Sequence, residues 1–349
     1  VSSGSLCLMA TELWKKDRPM AMLTFKRWKL KLENPLGLTT GLQNDLLKDL
    51  GQLNDDVVAD AVRYVVDGDP ADVLLKISAN PENARSMRLL SGSASGSQAL
   101  QSKVARQRRA MFQNSKDAPP LVWVRLAQIY ETAGRAGQLQ PAPAGWPDWP
   151  AVVMRELCTN PWDGTNKFTW PAEAMAAVFV EGGLSEDFLL AVFLDPQTAI
   201  AIDPTYYYSG PAGRGMFLSG WGEFLKKHSD KVRGVLVGLD AAGKLDAMQS
   251  LKSHSFPIEP IQDLLIEFAT GTAKTVREFA SDWLSQFKDK VRAQIETTLA
   301  EGSAGQRDQA AQLLFRFYGN DAVDVLRVHA ENESAKRVVQ TIEKLVATT

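Results

Sequence analysis

Apolar residues in the last third of the chain recur at the spacing of an α-helix. Val232, Val235, Leu236 and Leu239 fall at positions i, i+3, i+4 and i+7, which places them on one face of a helix. The same spacing returns in residues 261–268. Small and polar residues separate these stretches, so the pattern predicts amphipathic helices joined by short turns.

The helical pattern repeats from His228 to Thr349 with a step of about 31 residues. Three sets of apolar positions keep this step: Phe256, Phe287 and Tyr318; Trp283, Leu314 and Leu345; Met248, Phe279 and Ala310. We expect about four units, each a helical hairpin nearest in length to short HEAT-like repeats, stacked because one hairpin cannot bury its own apolar face. The predicted fold class is all-α, a HEAT/ARM-like right-handed α-α superhelix (solenoid).

Two kinds of turn are predicted in this region. Inside the hairpins lie residues 240–243, 270–273, 301–304 and 331–334, whose glycine and asparagine suit a left-handed helix end. Between hairpins, Pro257 precedes a new helix, where its missing N–H costs nothing.

Amphipathic helices are also predicted upstream. They cover residues 42–53, 57–66, 71–77, 121–133, 172–180 and 186–193. The proline- and tryptophan-rich residues 140–150 should be non-helical. The predicted organisation is therefore a basic and aromatic N-terminal segment (1–40), a helical region with proline- and tryptophan-rich loop insertions (41–227) and the HEAT-like repeats (228–349).

Two stretches are rich in basic residues. Residues 13–32 interleave lysines with aromatic residues and could touch phosphate or a membrane, but packing on the first helices is the favoured interpretation. The second stretch is a predicted basic helix with Lys103, Arg106, Arg108, Arg109 and Lys116. A solvated face is favoured there over a phosphate site, so replacing its three arginines by Gln should change stability by only a few tenths of a kcal/mol per site, roughly.

Two unusual loops carry candidate binding residues. Trp146, Trp149, Trp162 and Trp170 could form an aromatic binding surface, although tryptophans under a long loop more often cover the core. Residues 206–215 include three glycines and an arginine that could cradle a phosphate. Their spacing matches neither the P-loop nor the dinucleotide fingerprint, so a connection between helical layers is favoured.

Composition narrows the class of protein. Lys and Arg total 39 against 41 Asp and Glu, giving a net charge near −2 and a pI near 6.0, which argues against a dedicated nucleic-acid binder. The two cysteines, Cys7 and Cys158, form no CxxC motif, as expected in a reducing compartment. No run reaches the roughly 18 apolar residues of a membrane span. We expect a cytoplasmic protein without a membrane partner.

No residue pattern typical of catalysis is found in the sequence. His228, His254 and His329 lack partners at metal-ligand spacing, and His329 is expected to be a partly buried, hydrogen-bonded histidine. The carboxylates are scattered over helix faces, so no acid–base pair can be assigned. The sequence therefore predicts no catalytic, cofactor-binding or metal-binding residue and no cofactor.

Three stretches resemble the large bacterial MolR-like proteins: LSGWGEFLKKHSDKVR at 218–233, TVREFA at 275–280 and AEGSAGQRDQAAQLL at 300–314. The resemblance covers residues 218–349, with a weaker echo at 64–77. Proteins of that family carry HEAT-like helical stretches and a domain of unknown function. The resemblance implies a bacterial, cytosolic interaction protein that is an N-terminal portion of a longer chain, and it supplies no catalytic residues.

The leading functional hypothesis is a non-enzymatic scaffold that mediates protein–protein interaction, because solenoids present long concave surfaces. The alternative is a nucleic-acid-associated HEAT-like protein, with a cradle similar to that of HEAT-like DNA glycosylases. A third is an enzyme domain within residues 100–220.

Overall fold

The computed structural model describes residues 34–87, 98–134, 149–153, 170–195 and 218–348. Within these ranges the chain is mostly α-helical, which confirms the all-α prediction. Residues 13–32, residues 206–215, Trp146 and Trp162 lie outside the described residues, as do both cysteines.

Six helices of the first half agree with predicted segments to within a few residues, and the basic helix was also predicted, whereas Pro81–Met87 was not. The helices of this half are α1 (Thr40–Leu50), α2 (Asp55–Asp67), α3 (Val73–Ala79), α4 (Pro81–Met87), α5 (Gln98–Asn114), α6 (Pro120–Gly134), α7 (Trp149–Val152), α8 (Ala172–Glu181) and α9 (Phe188–Leu194). The prediction that 140–150 is non-helical is wrong for its last two residues, because Trp149 and Pro150 begin α7. Proline is tolerated in a first helical turn, where its N–H would have no intrahelical acceptor.

Helix α6 is the centre of the first half. It contacts α2, α3, α4, α7 and α8, and its buried residues include Trp123, Leu126 and Tyr130. A helix that is packed on several sides needs apolar residues around much of its circumference. Nearby, the short strands β1 (Trp170–Pro171) and β2 (Leu218–Ser219) pair in parallel, with Trp170 opposite Leu218.

The second half consists of α10 (Trp221–Lys227), α11 (Ser229–Gly238), α12 (Ala241–Ser253), α13 (Gln262–Ala269), α14 (Lys274–Leu284), α15 (Lys288–Glu301), α16 (Ala304–Tyr318), α17 (Val323–Asn332) and α18 (Lys336–Val346). Turns of 3₁₀-helix lie at Glu259–Ile261, Ser285–Phe287 and Gly319–Ala322.

Consecutive helices of the second half pack as hairpins. Contacts join α11 to α12, α13 to α14, α15 to α16 and α17 to α18. Neighbouring hairpins also touch, through α12 with α14, α13 with α15, and α16 with α18. Trp283 and Leu314 are buried, and the core is continuous from Leu38 to Ile342. Apolar burial of this kind is the main stabilising term of such an arrangement.

The turns inside the hairpins differ from the prediction. Gly271 and Gly302 do not adopt a left-handed conformation, and residues 241–243 belong to α12, capped by Asp240, whose Oδ1 accepts from the Gly243 N–H at 2.7 Å. The left-handed residues lie between hairpins, at Ser255 (φ 53°) and Gly319 (φ 54°). At the first of these, the Phe256 N–H donates to Leu251 O at 3.0 Å, which ends α12 as in a Schellman motif.

Candidate functional site

A groove of about 730 Å³ runs across the turns inside three successive hairpins and reaches Arg337 at the start of α18 in the fourth. Its walls are formed where each first helix ends and each second helix begins. The lining comes from Leu239, Asp240, Ala241 and Lys244; Glu267, Phe268, Thr270, Gly271, Thr272, Ala273, Val276 and Arg277; Ser303, Gly305, Gln306 and Gln309; and Arg337. Because three successive hairpins each contribute a turn and the fourth contributes Arg337, the groove depends on how the hairpins stack.

Arg277 lies in the middle of the groove and is held by the backbone. Its Nη1 donates to Gly271 O at 2.9 Å and to Thr272 O at 3.2 Å. These carbonyls belong to the turn between α13 and α14, which is itself fixed by the buried Thr270 hydroxyl donating to Ile266 O at 2.9 Å. Within the described residues, Nε and Nη2 of Arg277 make no hydrogen bond and no carboxylate lies within 4 Å. The guanidinium is therefore fixed, with donors that remain for a ligand.

Lys244 supplies a second fixed cation. Its Nζ lies 5.0 Å from the centroid of the Phe268 ring, in the range of a cation–π contact. Phe268 is buried and lines the groove. In the part of the chain that the structure describes, no carboxylate lies within 4 Å of Lys244, so its charge is balanced only by the ring and by solvent.

Two acidic residues, Asp240 and Glu267, also line the groove. Asp240 caps α12. Arg233 has a raised pKa, caused first by its hydrogen bond to Asp263 and also by the charges of that carboxylate and of Glu267. Among the described residues, neither Asp240 nor Glu267 forms an ion pair within 4 Å. The groove therefore carries two cations, Lys244 and Arg277, and two acids, Asp240 and Glu267, that are not paired with each other at that distance.

Helix N-termini reach the groove with different caps. Ser303 caps α16 in a capping box, with its own N–H donating to Gln306 Oε1 at 3.0 Å. The first turn of α14 follows Ala273, which provides no side-chain hydrogen bond. The first N–H groups of α14 therefore depend on solvent or on a ligand.

Glu333 closes the last turn of the groove region. Its side chain is only 2% exposed and meets Arg307 at two points, Nε–Oε2 and Nη2–Oε1, both 2.7 Å. It also accepts from the Ala335 N–H at 2.8 Å and lies 3.0 Å from His329 Nε2. The hydrogen bonds from Arg307 lower the pKa of Glu333 from its usual 4.5 to about 2. Glu333 is therefore ionised at neutral pH and joins α16 to α18.

Asp308 makes a second connection between these helices. It is 1% exposed, accepts from the Thr341 hydroxyl, and pairs with Arg337 Nη2 at 3.1 Å. The Arg337 side chain is otherwise 78% exposed on the groove wall. This wall is consequently held by buried carboxylates that have paired donors.

The predicted solvated face of the basic helix is wrong for two of its arginines. Arg108 and Arg109 are buried, whereas Arg106 and Lys116 are exposed. Arg108 is 1% exposed: its Nε donates to Asp49 Oδ1 at 3.0 Å and its Nη2 donates to Met87 O.

The surroundings of Arg108 explain its burial. Its guanidinium carbon lies 4.6 Å from the Tyr130 ring centroid, and the Tyr130 hydroxyl donates to Asp49. The sequence carried a signal for this arrangement, because Arg108 stands four residues after Val104 and four before Phe112, on an apolar helix face. A buried ion pair and a cation–π contact thus replace the expected solvent.

The tryptophans and histidines that the sequence singled out lie elsewhere. Trp149 and Trp170 are buried, which confirms for these two that they cover the core. His329 is partly buried and bonded to Glu333, as predicted. His254 is different, because burial lowers its pKa and its Nε2 has no partner among the described residues. In the described ranges, no group of three His, Cys, Asp or Glu side chains could hold a metal ion.

Comparisons with protein-family models, with curated proteins and with solved structures find no match to this chain. The resemblance to the MolR-like proteins and the domain boundaries therefore stay predictions. Among the described helices, none is both long and apolar enough to cross a bilayer. The groove was not anticipated from the sequence, because its residues are scattered over turns that only the stacking of hairpins brings together.

Proposed function

We propose that this chain is a non-enzymatic α-solenoid scaffold that binds a protein partner in the groove across its hairpin turns. The single observation that carries the proposal is the groove itself, about 730 Å³ in volume and lined by residues from four successive hairpins. A surface built from several stacked turns is long enough for an extended segment of another chain.

The packing of the hairpins supports the solenoid part of the proposal. Each hairpin contacts its sequence neighbours, and polar contacts about 30 residues apart add to the apolar core, as between Gln262 Nε2 and Gln294 Oε1 at 2.9 Å. Nearest-neighbour stabilisation of this kind is typical of repeat proteins. A bacterial setting enters the proposal through the MolR-like resemblance alone, and a cytoplasmic one through that resemblance and the absence of a CxxC motif.

The groove's chemistry favours binding over catalysis. Asp240 is engaged as a helix cap, and the half-exposed groove cations are fixed by carbonyls and by an aromatic ring. Nucleic-acid binding is less favoured, because burial of Arg108 and Arg109 removes two cations from the helix that would have carried it.

A steric block of the groove tests the proposal. Thr272 and Gly305 both line the groove and are exposed, and a Cβ on Gly305 meets open space. The variant Thr272→Trp with Gly305→Trp should fold and fill the groove. The matched control, Thr297→Trp with Ala300→Trp, places two tryptophans at exposed positions of α15 outside it.

The immobilised full chain would be used to capture proteins from the native host, and each captured protein would be purified and titrated against the three chains. We expect one protein whose affinity falls about tenfold or more in the groove variant and is unchanged in the control. A direct partner that binds the groove variant as tightly as the unmodified chain would overturn the proposal.

A further inference from the structure

Five cations of the second half pair with a carboxylate of the neighbouring hairpin. Arg233 Nη2 lies 2.6 Å from Asp263 Oδ2, Lys290 Nζ lies 2.7 Å from Glu259 Oε1, and Arg316 meets Asp282. Arg307 and Arg337 likewise meet Glu333 and Asp308. Of the described arginines in residues 218–348, Arg277 alone has no carboxylate within 4 Å. Five described lysines there also have none, and of these Lys244 is the one that lines the groove.

The comparison of Arg277 with Arg307 explains what Arg277 lacks. Both arginines use Nη1 to bind the carbonyl of a turn glycine: Gly271 O at 2.9 Å for Arg277 and Gly302 O at 2.7 Å for Arg307. Arg307 then receives the carboxylate of Glu333, which stands 31 residues after Gly302 in sequence. The residue that stands 31 residues after Gly271 is Gly302 itself, which has no carboxylate to offer.

The chain cannot easily supply that carboxylate by substitution. A Cβ at Gly302 would lie 2.6 Å from Thr298 O, a backbone atom. Real Cβ atoms do not approach a carbonyl oxygen so closely, so a side chain there would displace the turn. Arg277 therefore keeps a fixed guanidinium whose remaining donors match a carboxylate from outside the chain.

We propose that the partner segment bound in the groove is acidic, with one carboxylate on Arg277, in the manner of Glu333 on Arg307, and another on Lys244. This inference rests on the proposed function, because it names the chemistry of the partner for the same groove. Arg337 lies on the same wall with its side chain largely exposed, although its charge is paired with Asp308.

Discrete carboxylates fit this groove better than a nucleic-acid backbone. Asp240 and Glu267 also line it, so negative charge is interspersed with the cations. A phosphate chain carries charge at every nucleotide and would meet these acids, whereas a peptide can place neutral residues opposite them. The mixed lining therefore favours an acidic peptide over DNA or RNA.

Fluorescence anisotropy with three labelled probes tests the inference on the full chain near physiological ionic strength. The first probe is a short peptide of alternating glutamate and serine, the second has glutamine in place of glutamate, and the third is a DNA duplex.

The test variant is Lys244→Gln with Arg277→Gln. The control, Lys226→Gln with Arg327→Gln, removes the same charge from exposed residues outside the groove. Circular dichroism and the melting temperature show whether each variant folds. The single variant Lys244→Gln touches no backbone hydrogen bond and serves if Arg277→Gln unfolds the turn.

We expect the glutamate peptide to bind, the glutamine peptide to bind at least about tenfold more weakly, and the test variant, but not the control, to lose about tenfold or more in affinity. Lys244→Gln alone should lose part of that affinity. The inference is overturned if the glutamate peptide fails to bind, or if both double variants lose affinity for it equally. It is also overturned if the duplex binds as tightly as the glutamate peptide and the test variant no longer binds the duplex. If the glutamate peptide fails while the double-tryptophan block still removes a captured partner, the acidic chemistry is wrong and the proposed function stands.

Discussion

Arg307 and Glu333 form a two-point ion pair that joins the start of α16 to the turn between α17 and α18, with both N–O distances at 2.7 Å. The same guanidinium donates to Gly302 O at 2.7 Å. One side chain thus connects the turns of two successive hairpins. Because the Glu333 carboxylate also accepts from the N–H of Ala335, the pair fixes the start of α18 as well.

Replacing Glu333 by Gln should destabilise the chain. The amide cannot accept two charged hydrogen bonds from Arg307, so we expect a loss of about 1–3 kcal/mol in the free energy of unfolding. Urea denaturation followed by circular dichroism measures it. Glu331→Gln, in the same region but exposed, is the control and should change stability by less than about 0.5 kcal/mol. Equal effects of the two variants would contradict this role of the pair.

The contribution of Glu333 should disappear in acid. Its folded-state pKa of about 2 lies below the usual 4.5, so its ionised form stabilises the fold fully above the unfolded-state value. Stability is then lost as the pH falls from about 4.5 towards about 2. The difference in unfolding free energy between the unmodified chain and Glu333→Gln should shrink across that range. A difference that stays constant from neutral pH to about pH 2 would show that the carboxylate is not held ionised by Arg307.

Arg108→Gln should be far more damaging than Arg106→Gln. The first variant removes a buried charge from Asp49 and Tyr130, and breaking a buried ion pair costs about 3–5 kcal/mol. The second variant changes an exposed residue that lies two positions earlier on the same helix. It should cost less than about 1 kcal/mol. Chemical denaturation of both variants is the measurement. Similar small losses of stability in both variants would support the sequence-based prediction that Arg108 lies on a solvated helix face.

Helices were predictable because apolar spacing is a local property. Residues 121–133 are almost the whole of α6 (Pro120–Gly134), and 172–180 lie within α8 (Ala172–Glu181). The fate of Arg108 could not be predicted from charge alone, since its partner Asp49 is 59 residues away in sequence. The turn conformations were missed for a related reason: Asp240 begins α12 through a side-chain cap, where the glycine at 243 had suggested a helix end.

The groove lies beyond sequence reasoning for a different physical reason. Arg277 is held by the carbonyls of Gly271 and Thr272, and Lys244 lies over the ring of Phe268. These contacts depend on how the side chains are oriented in the fold, which residue types alone do not reveal. Nothing in the residue pattern distinguishes Arg277 from the paired arginines on either side. Only the placement of Gly302 and Glu333 in successive turns makes that distinction.

Trp283→Ala tests the assignment of the buried face of α14. Trp283 is buried and keeps the predicted step with Leu314, so truncation should cost about 3–5 kcal/mol. Asp282→Ala, the exposed neighbour, should cost less than about 1 kcal/mol, because it removes only a surface ion pair with Arg316. A loss under about 1 kcal/mol for Trp283→Ala would mean that the face assignment is wrong.

Hydrogen–deuterium exchange of the chain with and without its captured partner shows whether the groove across the hairpin turns is the partner-binding surface. The first N–H groups of α14 have no side-chain cap and should exchange quickly in the unbound chain. Bound partner should slow exchange at residues 270–276, while the exposed outer face of α15 stays unchanged. Protection confined to residues outside the groove, with 270–276 exchanging as before, would contradict the account.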